Sequence, residues 1–357
     1  MELERFRPRS MLVTEQTRIM QPRYPVVDAH NHLMEPFGGG WDSRPLGDLL
    51  DLLDQAGVRL YVDLDGGWGE AILDAHLEHF KQPAPQRFKV FGGVDWSKWP
   101  ELGDRFPEWA AQRLRLQKAR GAEGLKVWKG LGLQVRDHKG AIVTVDDPRL
   151  DPVWETAGEL SLPVMIHVAD PVAFFELLDE TNERWEELQA HPDWYFPSPP
   201  YPPFLSIVGA LAELVARHPN TRFIGAHVGC YAENLAWVGA LLERCPNFYV
   251  DISARISELG RQPYTARRFF MQYADRILFG LDFGPDLESY YIYYRFLETD
   301  DEYFNYNMGD LPLQGRWHVC GLDLPDDVLA NVYFGNAERL FGQTMLDEPR
   351  AGTETGG

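Results

Sequence analysis

Val26-Val27-Asp28-Ala29-His30-Asn31-His32 is an apolar, β-branched run that ends in two histidines spaced by one residue. In a strand, residues i and i+2 face the same way, so His30 and His32 project together from one strand end. Two imidazoles so placed can chelate one borderline cation such as zinc. The competing reading of the pair alone is two hydrogen-bonded histidines inside a barrel. The rest of the chain decides between them.

Seven more short β-branched runs follow: 58–65, 88–95, 124–128, 163–169, 222–229, 248–253 and 277–282. Amphipathic runs separate them. Leu46, Leu49, Leu50 and Leu53 form a helical stripe that stops at Gly57, and Trp109 and Leu114 lie in a run closed by Gly121. Pro148 and Pro152 open the helix of Val153 and Trp154, Leu211 and Leu214 precede His218-Pro219, and Leu235–Leu242 ends at Pro246. Strands alternating with helices imply βαβ units and a parallel sheet. The expected fold class is α/β, a single (β/α)8 TIM barrel over residues 26–345.

Two stretches break the rhythm. Residues 170–201, after the fifth strand, are rich in Trp, Pro and acidic side chains, and residues 283–325 follow the eighth. Insertions after strands lie on the C-terminal face of a barrel, where active sites are built, so the first is expected to act as a lid. Residues 1–25 read as a peripheral arm and 346–357 as a flexible tail.

The 357 residues carry 34 Lys plus Arg against 54 Asp plus Glu, a net charge of −20. Such a chain repels phosphate backbones and anionic lipid, so neither nucleic acid nor membrane is an expected partner. No run approaches the ~18 apolar residues of a membrane span. The first ten residues, MELERFRPRS, are charged and lack the apolar core of a secretory signal. Three cysteines, Cys230, Cys245 and Cys320, form no close pair, which fits a reducing cytoplasm. Self-association is left open.

His167, His227 and Asp282 each stand near the end of an apolar strand run, where a polar side chain needs a partner. In a barrel these ends converge with those of His30 and His32 on one mouth. Lys126 and Trp128 share strand parity, and Arg255 lies two residues beyond Ser253; Lys126, Trp128 and Arg255 are candidate substrate-binding residues. Asp251 lies deeper and is expected to orient Arg255 or a histidine. His76 and His79, three apart on a helix, read as a solvated face. Glycines at 225 and 229 flank His227 and are read as leaving room for substrate.

The segments DAHNH, GLK, IHV, GAHVG and FGLDF, with the closing NVYFGNAERLF, together resemble the amidohydrolase superfamily, in particular its amidohydrolase-2 branch of decarboxylases, lactonases and hydrolases. The resemblance spans Val26 to Phe341. It implies one divalent metal, taken as Zn2+, held by His30, His32, His167 and Asp282, with His227 and Asp282 as catalytic residues. The metal would lower the pKa of its bound water toward ~7. Asp282 would take that water's proton, and His227 would polarise a carbonyl or protonate a leaving group. In some relatives the fourth-strand lysine is carbamylated and bridges two metals. Lys126 is read first as binding a substrate anion, then as a structural salt bridge or such a carbamate. The expected activity is metal-dependent hydrolysis of a small carbonyl compound, an amide, lactone or similar, neutral or anionic. The alternatives are non-oxidative decarboxylation of an aromatic or unsaturated acid and a non-catalytic binding barrel. A decarboxylase pocket should be dry and aromatic, with a cation placed for the carboxylate.

Overall fold

A computed structural model describes residues 9–35, 37–307, 309 and 314–342. Eight parallel strands run in chain order: β1 Val26–Asn31, β2 Val58–Asp63, β3 Phe88–Gly92, β4 Gly124–Val127, β5 Val164–Ile166, β6 Phe223–Gly225, β7 Phe248–Asp251 and β8 Ile277–Leu278. Each pairs with the next. Ala29 N donates to Phe279 O at 2.9 Å, and Asp282 N to His30 O at 2.9 Å, which joins the chain beyond β8 back to β1. The result is the (β/α)8 barrel expected from the alternation.

The strands are shorter than their apolar runs. The run expected to end at Gly229 leaves the sheet after Gly225, because His227 and Val228 adopt left-handed φ of 57° and 59°. The residues that matter most lie in these tails, just past the sheet. Eight described non-glycine residues have positive φ, and five of them, His227, Val228, Cys230, Ala254 and Asp282, follow β6, β7 or β8. Backbone strain of this kind persists where the surroundings fix it, and functional sites are the usual place.

Alternation sorts the core into two layers. Val164 and Ile166 of β5 face the helices, while Met165 joins Val27, Ala29, Leu60, Val62, Ile224 and Leu278 in the barrel interior. Leu340, on the helix Asn336–Phe341, packs into that interior cluster. The helices Leu46–Ala56, Phe106–Arg120, Asp151–Glu159, Phe204–Arg217, Leu235–Arg244 and Pro263–Gln272 bury their apolar stripes against the outer layer. Among the described residues, no helix is long and apolar enough to cross a membrane.

One irregularity in β1 positions the site. Asp28 faces outward and accepts a 2.7 Å hydrogen bond from Tyr290 Oη, whereas Ala29 faces the interior. Plain alternation would send His30 outward with Asp28. Between Asp28 and Asn31, however, β1 slips its register against β2, whose partners are Tyr61 and Asp63. The extra residue is a bulge that resets the alternation and turns His30 inward. The expected inward histidine is found, through a bulge rather than through parity alone.

The arm is tied to the barrel through Thr17, whose N and Oγ1 donate to Asp301, and Arg23, which pairs with Asp326. The expected tail, 346–357, lies outside the described residues, as do 1–8 of the arm and 308 and 310–313 of the second insertion.

Candidate metal centre

His30, His32 and Asp282 come together at the barrel mouth. His30 Nε2 lies 3.2 Å and His32 Nε2 3.1 Å from Asp282 Oδ1, and His227 Nε2 lies 3.5 Å from Asp282 Oδ2. The other nitrogen of each ring is held from behind. His30 Nδ1 meets Asp251 Oδ2 at 2.9 Å, His32 Nδ1 meets Asp65 Oδ1 at 2.7 Å, and His227 Nδ1 meets Ser253 O at 2.9 Å. Those partners only accept, so each Nδ1 carries the proton and each Nε2 presents a lone pair. Three lone pairs therefore converge on a carboxylate, and Lys126 Nζ, 3.1 Å from His30 Nε2, is the donor that reaches them. A buried cluster of acceptors short of protons wants a cation.

The electrostatics agree. Burial pulls the His32 pKa down, but Asp282 and Asp65 outweigh it and push it up to about 9, so a proton is drawn to the gap between rings and carboxylate. Burial would raise Asp282, yet His30 and His32 hold it well below the usual carboxylate range. Asp251 is likewise held down by His30 against its own burial. Burial first, then Arg255 and His167, keep His227 neutral, its pKa well below the ordinary imidazole value. The donor set, imidazole nitrogens oriented by carboxylates plus one carboxylate ligand, suits a divalent metal such as zinc or manganese.

His167 stands slightly apart. Its ring lies 4.5 Å from that of His227, edge to face, but its nitrogens do not join the tight group of His30, His32 and Asp282. Its Nε2 is buried and has no hydrogen-bond partner. Asp170 Oδ1 is 3.4 Å away, an ion-pair distance without hydrogen-bond alignment, and the alignment decides the matter. Burial holds His167 down at about 4, against the pull of Asp170. A neutral, buried imidazole with an idle nitrogen near His30, His32 and Asp282 also fits a cation.

Lys126 and Trp128 both reach this mouth, as their shared parity requires. Lys126 is 1% exposed, and its Nζ lies 4.6 Å over the Trp128 ring. That ring is stacked on His32 at 5.2 Å and on Trp68 at 3.9 Å. Trp128 is thus already engaged by its neighbours and holds Lys126 in place. Arg255 is buried, with Nη1 donating to Ala254 O at 2.9 Å, and it acts on His227 electrostatically. Asp251, one of the two roles expected for it, holds His30; it also accepts from Ser253 Oγ at 2.5 Å and from His227 N at 3.2 Å.

Two expectations are corrected. A Cβ at Gly225 would lie 2.5 Å from the Phe248 ring, so that glycine serves close packing and leaves no room for substrate. His76 is not solvated: it is 3% exposed, and its Nδ1 bonds Asp63 Oδ2 at 2.6 Å. Sequence reasoning also missed Asp65, which accepts from His32 and from Leu33 N and Met34 N at 2.7 and 2.9 Å. The signal available was an aspartate just past β2, ahead of two glycines. Asp170, paired with Lys129, was counted only as the start of an insertion.

A barrel of eight parallel strands with histidines and an aspartate gathered at one mouth is the layout of a (β/α)8 enzyme, and its donors suit a divalent metal. The chain belongs to the amidohydrolase family, in its amidohydrolase-2 branch, whose profile matches residues 27–343. No curated protein sequence matches it. Among solved structures it is similar to 2,6-dihydroxybenzoate decarboxylase from Rhizobium, at 16% identity and a TM-score of 0.55 over 89% of this chain and 99% of that one. It is similar to a dihydroxybenzoic acid decarboxylase from Polaromonas sp. JS666 with bound manganese and 2-nitroresorcinol, at 18% identity and a TM-score of 0.52 over 83% of this chain and 85% of that one. An uncharacterized TIM-barrel protein from Bordetella bronchiseptica matches at 15% identity and a TM-score of 0.52, over 86% and 85% respectively. At these identities the likeness shows the shared fold.

Proposed function

We propose that the chain is a metal-dependent, non-oxidative decarboxylase of a small aromatic or unsaturated carboxylic acid. The observation that carries this reading is the buried Lys126 amine, 3.1 Å from His30 Nε2, with the buried Arg255 on the His227 side. In a chain of net charge −20, two buried cations flank a mouth otherwise rich in acceptors. Such a pair selects an anion, and a dry site strengthens its grip. Two similar barrels being dihydroxybenzoate decarboxylases, one with manganese, supports the same choice.

His30, His32, His167 and Asp282 would hold one divalent ion; zinc suits the donors, and manganese is the second candidate. Such an ion would supply Lewis-acid polarisation of a substrate oxygen at this mouth. Lys126 and Arg255 orient the carboxylate. Asp282 and His227, 3.5 Å apart and both proton acceptors at rest, would relay a proton from water to the carbon that bears the carboxylate. The carbon–carbon bond then breaks, carbon dioxide leaves, and the bonding pair restores the double bond or aromatic ring that protonation had interrupted. Residues 170–201 act as a lid: Lys129 bonds Asp170 and lies 5.3 Å over the Phe196 ring, and Arg184 is buried against Ser257 and Glu258. The three free cysteines suit a reducing cytoplasm.

Hydrolysis is the second reading, favoured by one feature. Asp282 and His227 both rest as acceptors, ready to take a proton from water. Metal analysis of the purified protein, followed by incubation with benzoic acids, unsaturated acids, lactones and amides, separates the two. Release of carbon dioxide from an acid supports decarboxylation. Turnover of lactones or amides without it would replace that reading by hydrolysis.

A further inference from the structure

The Asp63–His76 pair belongs to no step above, yet both groups are buried. Asp63 ends β2 and faces outward, onto the helix Glu70–His76. It is fully buried, and Asp65, two residues on, is 2% exposed. Two buried carboxylates this close repel, and neither is tolerated without compensation. Each has one imidazole: His76 Nδ1 lies 2.6 Å from Asp63 Oδ2, and His32 Nδ1 lies 2.7 Å from Asp65 Oδ1. The two halves are joined, since Asp65 N donates to Asp63 Oδ1 at 3.0 Å. A continuous row therefore runs from a helix outside the barrel to the mouth: His76, Asp63, Asp65, His32, Asp282.

The ligand atoms of Asp63, Asp65 and His76 lie close enough together to suggest a second metal. The hydrogen bonds argue otherwise. Asp63 Oδ1 is taken by Asp65 N and Oδ2 by His76, while Asp65 Oδ1 is taken by His32 and Oδ2 by Leu33 N and Met34 N. Every carboxylate oxygen already has a donor, so this cluster, unlike the mouth, is satisfied without a cation.

We infer that His76 is a positioning residue for the metal centre: by compensating Asp63, it keeps Asp65 free to orient His32. The inference rests on the metal-centre reading. Without His76, Asp63 would be a buried, unpaired anion beside Asp65. It would disturb the turn that carries Asp65, whose N donates to Asp63 Oδ1. Outer partners of metal ligands typically change affinity by 10–100-fold, and this one acts a layer further out, so a change of about tenfold is expected.

The test is metal affinity of the full chain, stripped and then titrated with Zn2+ or Mn2+ against a chelator, with the thermal midpoint of the stripped protein measured alongside. His76→Gln should weaken binding about tenfold. The double variant His76→Phe with Asp63→Asn, which removes the uncompensated charge, should recover affinity to within about threefold of the wild type. An unchanged affinity in His76→Gln, with only a lower midpoint, would overturn the inference and leave His76 as a helix anchor. A double variant as weak as the single one would overturn it too. If His76→Gln fails to fold, the double variant still decides, because near-normal affinity there supports charge compensation and a tenfold loss refutes it. A wild-type chain that takes up no metal would overturn the metal centre itself, which is a distinguishable failure.

Discussion

At the scale of single residues, the proposed roles separate groups that would hold a cation from groups that would move a proton. His30 is fixed by Asp251 behind and faces Asp282 in front, so His30→Ala removes a ligand. The variant as purified should show no bound metal and no turnover, measured as metal content and product on one preparation. His227 Nδ1 is fixed by a backbone carbonyl instead of a carboxylate, and burial, then Arg255 and His167, keep the ring neutral. His227→Asn should keep the metal and lose about 10²–10⁴ in kcat, the usual worth of a proton-transfer group. Loss of the metal along with activity would make His227 a ligand. Lys126→Met deletes a charge-assisted contact worth about 1.5–3 kcal/mol, so kcat/KM for a carboxylate substrate should fall about 10–100-fold. An unchanged kcat/KM for the carboxylate substrate in Lys126→Met would remove Lys126 from anion binding.

At the scale of elements, one short turn serves two ends of the site. Asp65–Trp68 follows β2; Asp65 holds His32, and Trp68 stacks on Trp128. The turn can press so close only because residue 67 is glycine. A Cβ there would lie 2.8 Å from Lys126 Cβ and 3.0 Å from Trp128 Nε1. Gly67→Ala should therefore cost about 1–3 kcal/mol, the range for overpacking, and displace Lys126. A lower thermal midpoint with weaker carboxylate binding is expected; an unchanged protein would mean the turn yields freely. The insertion 170–201 is the second element with a testable role. Replacing residues 176–195 by a short glycine-rich linker should raise KM while the barrel stays folded, as circular dichroism and a steady-state assay would show. An unchanged KM and selectivity would remove the lid.

At the scale of the whole molecule, the metal should couple the barrel to itself. Its proposed ligands come from the tails of β1, β5 and β8, so the bound ion ties distant parts of the chain. A ligand at a hundred times its Kd stabilises the folded state by about 2.7 kcal/mol. Chelation should accordingly lower the unfolding midpoint by a few degrees, and re-addition of one equivalent of metal should restore it. A midpoint indifferent to chelator, in a preparation shown to release its metal, would mean the unfolded chain binds as well as the folded one.

The sequence by itself determined the barrel, because eight apolar runs alternating with amphipathic helices can bury both faces of a parallel sheet in few other ways. It also marked the mouth, since polar residues such as His30, His32, Lys126 and Asp282 sit where apolar runs stop. Tertiary structure decided the rest. The inward turn of His30 depends on a register slip between β1 and β2, and register is a property of two strands, not of one. The pairing of Asp65 with His32, Asp251 with His30 and Asp63 with His76 joins residues 33, 221 and 13 positions apart. No local pattern announces such contacts. His76 shows the limit most clearly: its helical spacing suits a wet face, and only the packing of its helix against β2 buries it on a carboxylate.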